Sequence, residues 1–427
     1  MRVGILGGGL SGVVVAGHSR HDCEVLEADS RPGGHCQSLI KDGYTFDVGG
    51  PHILFSRNTE ILDRMLHELG DNVATRRRNN KIYVKGRIVK YPFENGLFDL
   101  APEDRFECLY HYLFNEYPAP KNFKEWIYHT FGKGIAEQYM LPYNEKIWNV
   151  SADQMSMDWV EGRVPRPPAA DVIKSAVGVE TEGYTHQLNF RYPRTGGIEA
   201  LARAYAANCK HIVCDFMVRK VWRDGTDWCV SDGARTKRYD RLVTTIPLQA
   251  LLAALPDVPQ QVLAAAAALR FNSIITVMLG CARTDLPSYT ALYIPDREYL
   301  FHRLSWPLGF TDEGAPAGCI AVMAEITTNA GDGVHEQSDE QLYEHVISGL
   351  ERMGLIDPQR INFRAVYRTQ YAYVVRTFDY AANLKIALDY VASLGILSVG
   401  RNAEFEYINM DEAVNRALKA VSKLDVD

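Results

Sequence analysis

The chain opens on an apolar stretch, Val3 to Leu6, that breaks at three consecutive glycines and resumes as an apolar run from Leu10 to Ala16. Read as local structure, "RVGILGGGLSGVVVAGHSRHDCEVLEAD" predicts a strand, a glycine turn, a short helix and a second strand. Residues 56–70 place Ile61, Leu62, Met65, Leu66 and Leu69 on one helical face, with Gly70 as the stop. "KIYVKGRIVKYPF" (81–93) alternates about Lys85-Gly86 and predicts a β-hairpin. Residues 97–162 carry aromatic residues at helical spacing, followed by a proline-rich connector at 163–171. Strands return at 188–194 and 212–231, and "YDRLVTTIP" (239–247) reads as a buried strand ending in a turn. From 270 to 375 the pattern is sheet-like, with a Gly/Pro loop at 309–318. The final stretch predicts a strand, a glycine, an irregular segment and a helix lined by Ala413, Val414, Ala417, Leu418 and Val421, with Asp411 at its N-cap.

Composition narrows this picture. The 427 residues suit two or three domains. A net charge of -7 argues against a bulk binder of nucleic acid or anionic membranes, and no apolar run is long enough to span a bilayer. The eight cysteines form no Cys-x-x-Cys pair and no metal-ligand spacing, which predicts free thiols in a reducing cytoplasm and no metal site.

The glycine turn carries the first chemistry. Gly7, Gly9 and Gly12 fit G-x-G-x-x-G between an apolar strand and a helix. In that pattern the first glycine makes the turn, the second lets a pyrophosphate reach the backbone and the third lets helix and strand pack closely. The helix N-terminus, with roughly half a positive charge, suits a phosphate. Glu27 closes the second strand, where a carboxylate accepts from ribose hydroxyls. Arg31 followed by Gly33-Gly34 is more than a NAD domain needs, and a second close backbone approach suggests a longer, buried cofactor.

The E-x-x-x-R-x-G-G pattern, with "DVGGPH" (47–52) following it, resembles the flavoprotein superfamily of amine oxidases and protoporphyrinogen oxidase. Within it, "DVGGPHILFS" (47–56), "YPFENGL" (91–97), "FGKGIAEQYMLPYNEKIWNV" (131–150), "GRVPRP" (162–167), "FRYPRTGGI" (190–198), "LYIPDREYLFHR" (292–303), "YAYVV" (371–375) and "GRNAEFEYINMD" (400–411) resemble the UDP-galactopyranose mutase family. The resemblance covers nearly the whole chain. It implies an α/β fold: a Rossmann-like FAD-binding domain (1–56, 188–250, 391–427), a helical insertion (95–165) and a mixed or antiparallel β-sheet substrate domain (57–94, 166–187, 251–390). It also implies a cytoplasmic isomerase that interconverts NDP-pyranose and NDP-furanose for cell-surface polysaccharide biosynthesis. In that scheme N5 of reduced FAD attacks the anomeric carbon and returns its electrons, so there is no net redox change. NAD(P)H or another reductase would supply the reducing electrons. A UDP-sugar is the expected partner, and a homo-oligomer fits the family.

The resemblance assigns roles residue by residue. Arg163 and Arg303 match the two diphosphate arginines, and His52 falls beside N5. Phe55 would wall the sugar, Tyr293, Tyr373 and Tyr407 would lie near the phosphates, and Tyr91, Asn144 and Trp148 would hold the nucleoside. Cofactor contacts would also come from Gly34, Gly49, Gly50, Val218, Arg401, Met410 and Asp411, with Gly49 and Gly50 lying against the flavin ring where any Cβ would collide. The chemistry agrees: a departing diphosphate needs a positive charge that cannot be lost, and Arg binds two oxygens at once. Arg303→Ala is expected to leave flavin bound and abolish turnover. The basic run Arg76-Arg77-Arg78 reads as solvated surface. Glu94 stands where eukaryotic mutases of this type carry Gln. A carboxylate accepts from uracil N3–H but cannot donate to O4, and it suits two donors on the edge of another base equally well. The alternative reading is an FAD-dependent oxidoreductase of the amine oxidase or protoporphyrinogen oxidase type.

Overall fold

Val3, Ile5 and Leu6 have no exposed surface, as their unbroken apolar run requires of a strand covered on both faces. In the computed structural model, which describes residues 1–426 except 162, 184–187, 284 and 286, this strand is the centre of a five-stranded parallel sheet. Its order is Leu397–Ser398, Arg241–Thr244, Arg2–Leu6, Asp22–Leu26 and His211–Val213. The helices Leu10–His18 and Met410–Val426 pack against each other through Val13, Val14, Val414 and Ala417, all buried in one core. Because the strands run parallel, the glycine turn, Glu27, Thr245 and Val399 all follow strand C-termini at one end of the sheet, where α/β sheets bind ligands.

A seven-stranded sheet lies beside it, in the order Ile361–Val375, Arg270–Ala282, Cys319–Thr328, Arg303–Ser305, Ala291–Tyr293, Asn80–Val84, Arg87–Lys90. Lys85 and Gly86, both at positive φ, make the tight turn of the predicted hairpin. Register decides what this sheet presents: Tyr293 is opposite Arg303, and Arg303 is opposite Glu325.

The helical segment comprises Pro102–Leu113, Phe123–Ile135 and Leu141–Trp148, with a π-helical turn at Ala136–Met140. A wide turn of that kind re-aims the side chains that follow it. Two sequence expectations change. The sheet-like region 270–375 contains a helix, Asp339–Arg352, started by a capping box between Ser338 and Gln341; that Ser-x-x-Gln pattern was the signal. The last helix begins at Met410, so Asp411 lies in its first turn and is not its N-cap. Gly162 of the motif 162–167, and residues 184–187 within the sheet-domain segment 166–187, lie outside the described residues. No helix among the described residues is long and apolar enough to cross a membrane.

Candidate active site

Two cavities meet between the sheets. The outer one, about 690 Å³, is lined by Tyr91–Glu94 just after the hairpin, the helical segment and the edge of the large sheet. Phe93, Tyr139 and Tyr143 form a column of nearly parallel rings along it, with centroids 5.1 and 5.4 Å apart. Asn144 and Trp148, one turn apart, both line it; the indole Nε1 of Trp148 is buried without a partner. Asn144 Nδ2 donates to the carbonyl of Met140 at 2.7 Å, which leaves the amide oxygen as an acceptor. Tyr91 stands against Tyr293 at 5.1 Å. Glu94 lines the same cavity at 2% exposure, and burial pushes its carboxyl up to about 7.

Arg303, Tyr373, Tyr407, Phe55, Pro51 and Ile53 line both cavities and form the wall between them. Arg303 forks onto Glu325, donating through Nε and Nη2 at 2.5 Å each. Glu325 has no exposed surface. Burial works against the Arg303 cation, but the carboxylate beside it more than offsets this and holds the pKa well above the usual value. The ring of Tyr407 carries two guanidinium groups, Arg163 at 4.6 Å and Arg401 at 4.4 Å. Arg163, exposed on the rim, also donates to the Tyr407 carbonyl.

The inner cavity, about 440 Å³, runs from the glycine turn to this wall. Its two histidines are neutral. His52 Nδ1 lies 2.8 Å from the Gly50 carbonyl, which can only accept, so Nδ1 carries the proton. Burial, with Arg401 and His35 nearby, depresses His52 to about 3, and burial with Arg401 takes His35 to about 4. Neither imidazole is a cation at neutral pH.

Asp47 anchors the loop that enters this wall. Its buried carboxylate accepts from Ser38 Oγ at 2.9 Å, Tyr192 Oη at 3.0 Å, Ile198 N at 3.0 Å and His52 N at 3.4 Å. Burial nevertheless raises its pKa to about 6. Asp47→Ala would strand several buried donors and is expected to lower stability by about 3 kcal/mol, since each unmet buried group costs ~1–3. Urea unfolding measures it; an unchanged midpoint would show that the loop holds itself.

Residues 14–383 match the family described as flavin containing amine oxidoreductase. This chain belongs to that family. Among solved structures, this chain superposes on a reduced UDP-galactopyranose mutase with a TM-score of 0.90 and 24% identity, covering 99% of this chain and 93% of the mutase. It superposes on a proposed protoporphyrinogen oxidase from Exiguobacterium sp. 255-15 with a TM-score of 0.78 and 18% identity, covering 100% and 98%. At these identities the likeness is one of fold. A curated relative, coproporphyrinogen III oxidase of Staphylococcus aureus, is 31% identical over 110 residues, which cover 24% of this chain and 23% of the oxidase. The chain therefore spans less than a quarter of that relative.

The inner cavity fits the flavin dinucleotide that this amine oxidoreductase family implies. A Cβ on Gly9 would meet no protein atom within 4 Å, so packing does not demand glycine there; the space it leaves open is cavity at a helix N-terminus. Arg401 Nε is buried without a partner on the same lining. Gly7, Gly34, Glu27, Gly49 and Met410 also line it. Glu27 is 6% exposed, its pKa raised by burial, and its oxygens already accept from the backbone of Gly8 at 2.6 Å and Asp29 at 2.9 Å. Gly12 lies behind the cavity: its Cβ would stand 2.0 Å from the Gly7 carbonyl oxygen.

Other expected contacts lie elsewhere. Arg31 forks onto Glu199 at 3.1 and 3.3 Å and donates to the Ser38 carbonyl, outside the cavity lining. Val218 packs at the edge of a separate core, ahead of the Lys220–Asp224 strand. Asp411 lines the outer cavity and accepts from Ser56 Oγ at 2.6 Å. The two glycines of "DVGGPH" have a reason within the chain itself. A Cβ on Gly50, at φ 84°, would fall 2.6 Å from Glu325 Oε2, and one on Gly49 would fall 2.9 Å from the His35 carbonyl. The chain's own atoms require both.

Arg78 is the residue that the basic run concealed. Arg76 and Arg77 pair with Asp312 and Glu182, but Arg78 turns into the outer cavity. There it donates to Tyr293 Oη at 3.0 Å and stands over the Tyr91 ring. Glu325 was also missed, although a lone acid inside the apolar run Ile320–Ile326 is a visible signal.

Proposed function

We propose that this protein is a flavin-dependent nucleotide-sugar mutase that interconverts NDP-pyranose and NDP-furanose. The shared wall carries the reading: Arg303 faces both the space that fits a flavin and the aromatic-lined space that fits a nucleotide. An amine or porphyrinogen oxidation gives such a cation no leaving anion to stabilise. When bound and reduced, FAD supplies the nucleophile for an anomeric carbon. Everything else falls to the chain. Arg303, fixed by Glu325 through Nε and Nη2, keeps Nη1 for a departing diphosphate oxygen, and Arg163 adds a second cation from the rim. Tyr373, on the same wall, adds a neutral phenol beside Arg303, its pKa raised above the usual value by burial. His52, neutral and tied to the Gly50 carbonyl, positions the loop and supplies no proton. The column Phe93–Tyr139–Tyr143 offers a base its face. All eight cysteines are free, which suits a reducing cytoplasm.

The test compares redox states of one preparation. Dithionite-reduced protein should convert a nucleotide-activated pyranose to its furanose with no oxidised product, and the air-oxidised protein should not. Stoichiometric oxygen consumption with an amine or porphyrinogen, and no isomerisation in the reduced state, would replace the mutase reading with an oxidase one.

A further inference from the structure

A buried acid with no side-chain partner sits where the outer cavity meets its aromatic column. Glu94 is 2% exposed, follows Phe93 in the column and lines the cavity away from the shared wall. No described side chain donates to its carboxyl group and it makes no ion pair; burial is the main influence on its titration. The titratable groups around it do not compensate. Cys108 and Tyr112 from the Pro102–Leu113 helix and Tyr139 from the π-turn all register its charge, and burial raises all three, so they stay neutral near pH 7. From the adjoining strand, Lys90 spends its Nζ on the Thr181 carbonyl. On the Ala169–Ala176 helix, Lys174 is exposed and Asp171 half-buried, and neither influences Glu94.

Among the described residues its carboxyl meets only its own backbone N–H, so most of a carboxylate's acceptor positions there are left open. Resting on the nucleotide-sugar reading, we propose that Glu94 selects the base of the substrate, and that the base it selects is guanine. Two carboxylate oxygens side by side complement two adjacent N–H donors. Guanine presents such a pair, N1–H and N2–H, on one edge. Uracil presents a single N3–H flanked by two carbonyl oxygens, which an ionised carboxylate repels. A protonated carboxyl, one donor and one acceptor, fits uracil N3–H/O4 and guanine N1–H/O6 alike. Discrimination therefore belongs to the ionised form. It grows as pH rises through the region of the group's titration and fades below it.

Equilibrium binding of GDP and of UDP to the flavin-loaded protein, by calorimetry, tests this. At about pH 8 GDP should bind about tenfold or more tightly than UDP, and at about pH 5.5 the two should converge. In Glu94→Gln, whose amide offers one donor and one acceptor, the ratio should fall to near unity at both pH values as UDP gains affinity. Equal affinities of the parent protein at the higher pH, or a GDP preference that survives Glu94→Gln, would overturn the assignment while leaving the mutase reading intact. Binding of neither nucleotide would overturn both. If the variant does not fold, the pH dependence of the parent's GDP-to-UDP ratio decides alone.

Discussion

Arg303→Ala is expected to lose about 3–5 kcal/mol of folding stability as well as turnover, because it breaks a buried ion pair from one side. Glu325 is fully buried on the Cys319–Thr328 strand, and Arg303 sits opposite it in the register of the neighbouring strand. Both carboxylate oxygens accept from the guanidinium at 2.5 Å. Without that cation, a charge remains in the interior with nothing to offset its lost hydration. The sequence reading, in which this substitution spares the fold, is revised by that contact. The double variant Arg303→Ala/Glu325→Ala separates the two roles: removing the stranded charge should recover much of the stability, and isomerisation should stay lost. Urea unfolding of the parent, both single variants and the double variant closes the cycle. Additive effects would show that the pair is not coupled, and Arg303 would then act on the ligand alone.

Gly12→Ala is the second large effect, and it should appear first in the colour of the protein. The new Cβ would lie 2.0 Å from the Gly7 carbonyl oxygen, a backbone atom that moves only if the helix Leu10–His18 shifts off the strand Arg2–Leu6. Overpacking typically costs ~1–3 kcal/mol, and this contact belongs at or above the top of that range. The shift also moves the helix N-terminus that faces the inner cavity, so the variant should purify without flavin absorbance and melt lower. Gly9→Ala is the control: its Cβ meets only cavity space, so the fold should survive while cofactor binding weakens. Retention of full flavin by Gly12→Ala would show that the turn relaxes without disturbing the cradle.

The separation between sequence and structure follows the range of the forces involved. Features set within a few residues were legible directly. The strand–glycine–helix–strand opening, the Lys85-Gly86 hairpin and the stop of the Thr59–Leu69 helix at Gly70 depend on local φ preferences and on apolar period. The likeness of scattered motifs pointed to the fold because those motifs recur at matched spacing. Side-chain surroundings were another matter. Arg76, Arg77 and Arg78 read identically in a string, yet two meet surface carboxylates and the third enters a cavity because of where the strand from Ala74 ends. Arg31 looked like a cofactor contact until Glu199, 168 positions away, claimed its guanidinium. Gly50 looked like a clearance for a ligand, and the register of two strands more than 250 residues downstream makes it a clearance for Arg303 and Glu325. The sequence by itself determined the opening strand–turn–helix–strand unit, the hairpin and the helix that stops at Gly70, and which residue types were on hand for phosphate, base and ring. Which cations stay buried and paired, and that the acid at Glu94 is left without side-chain donors, only the tertiary structure decided. Burial and charge pairing are sums over neighbours that chain order does not bring together.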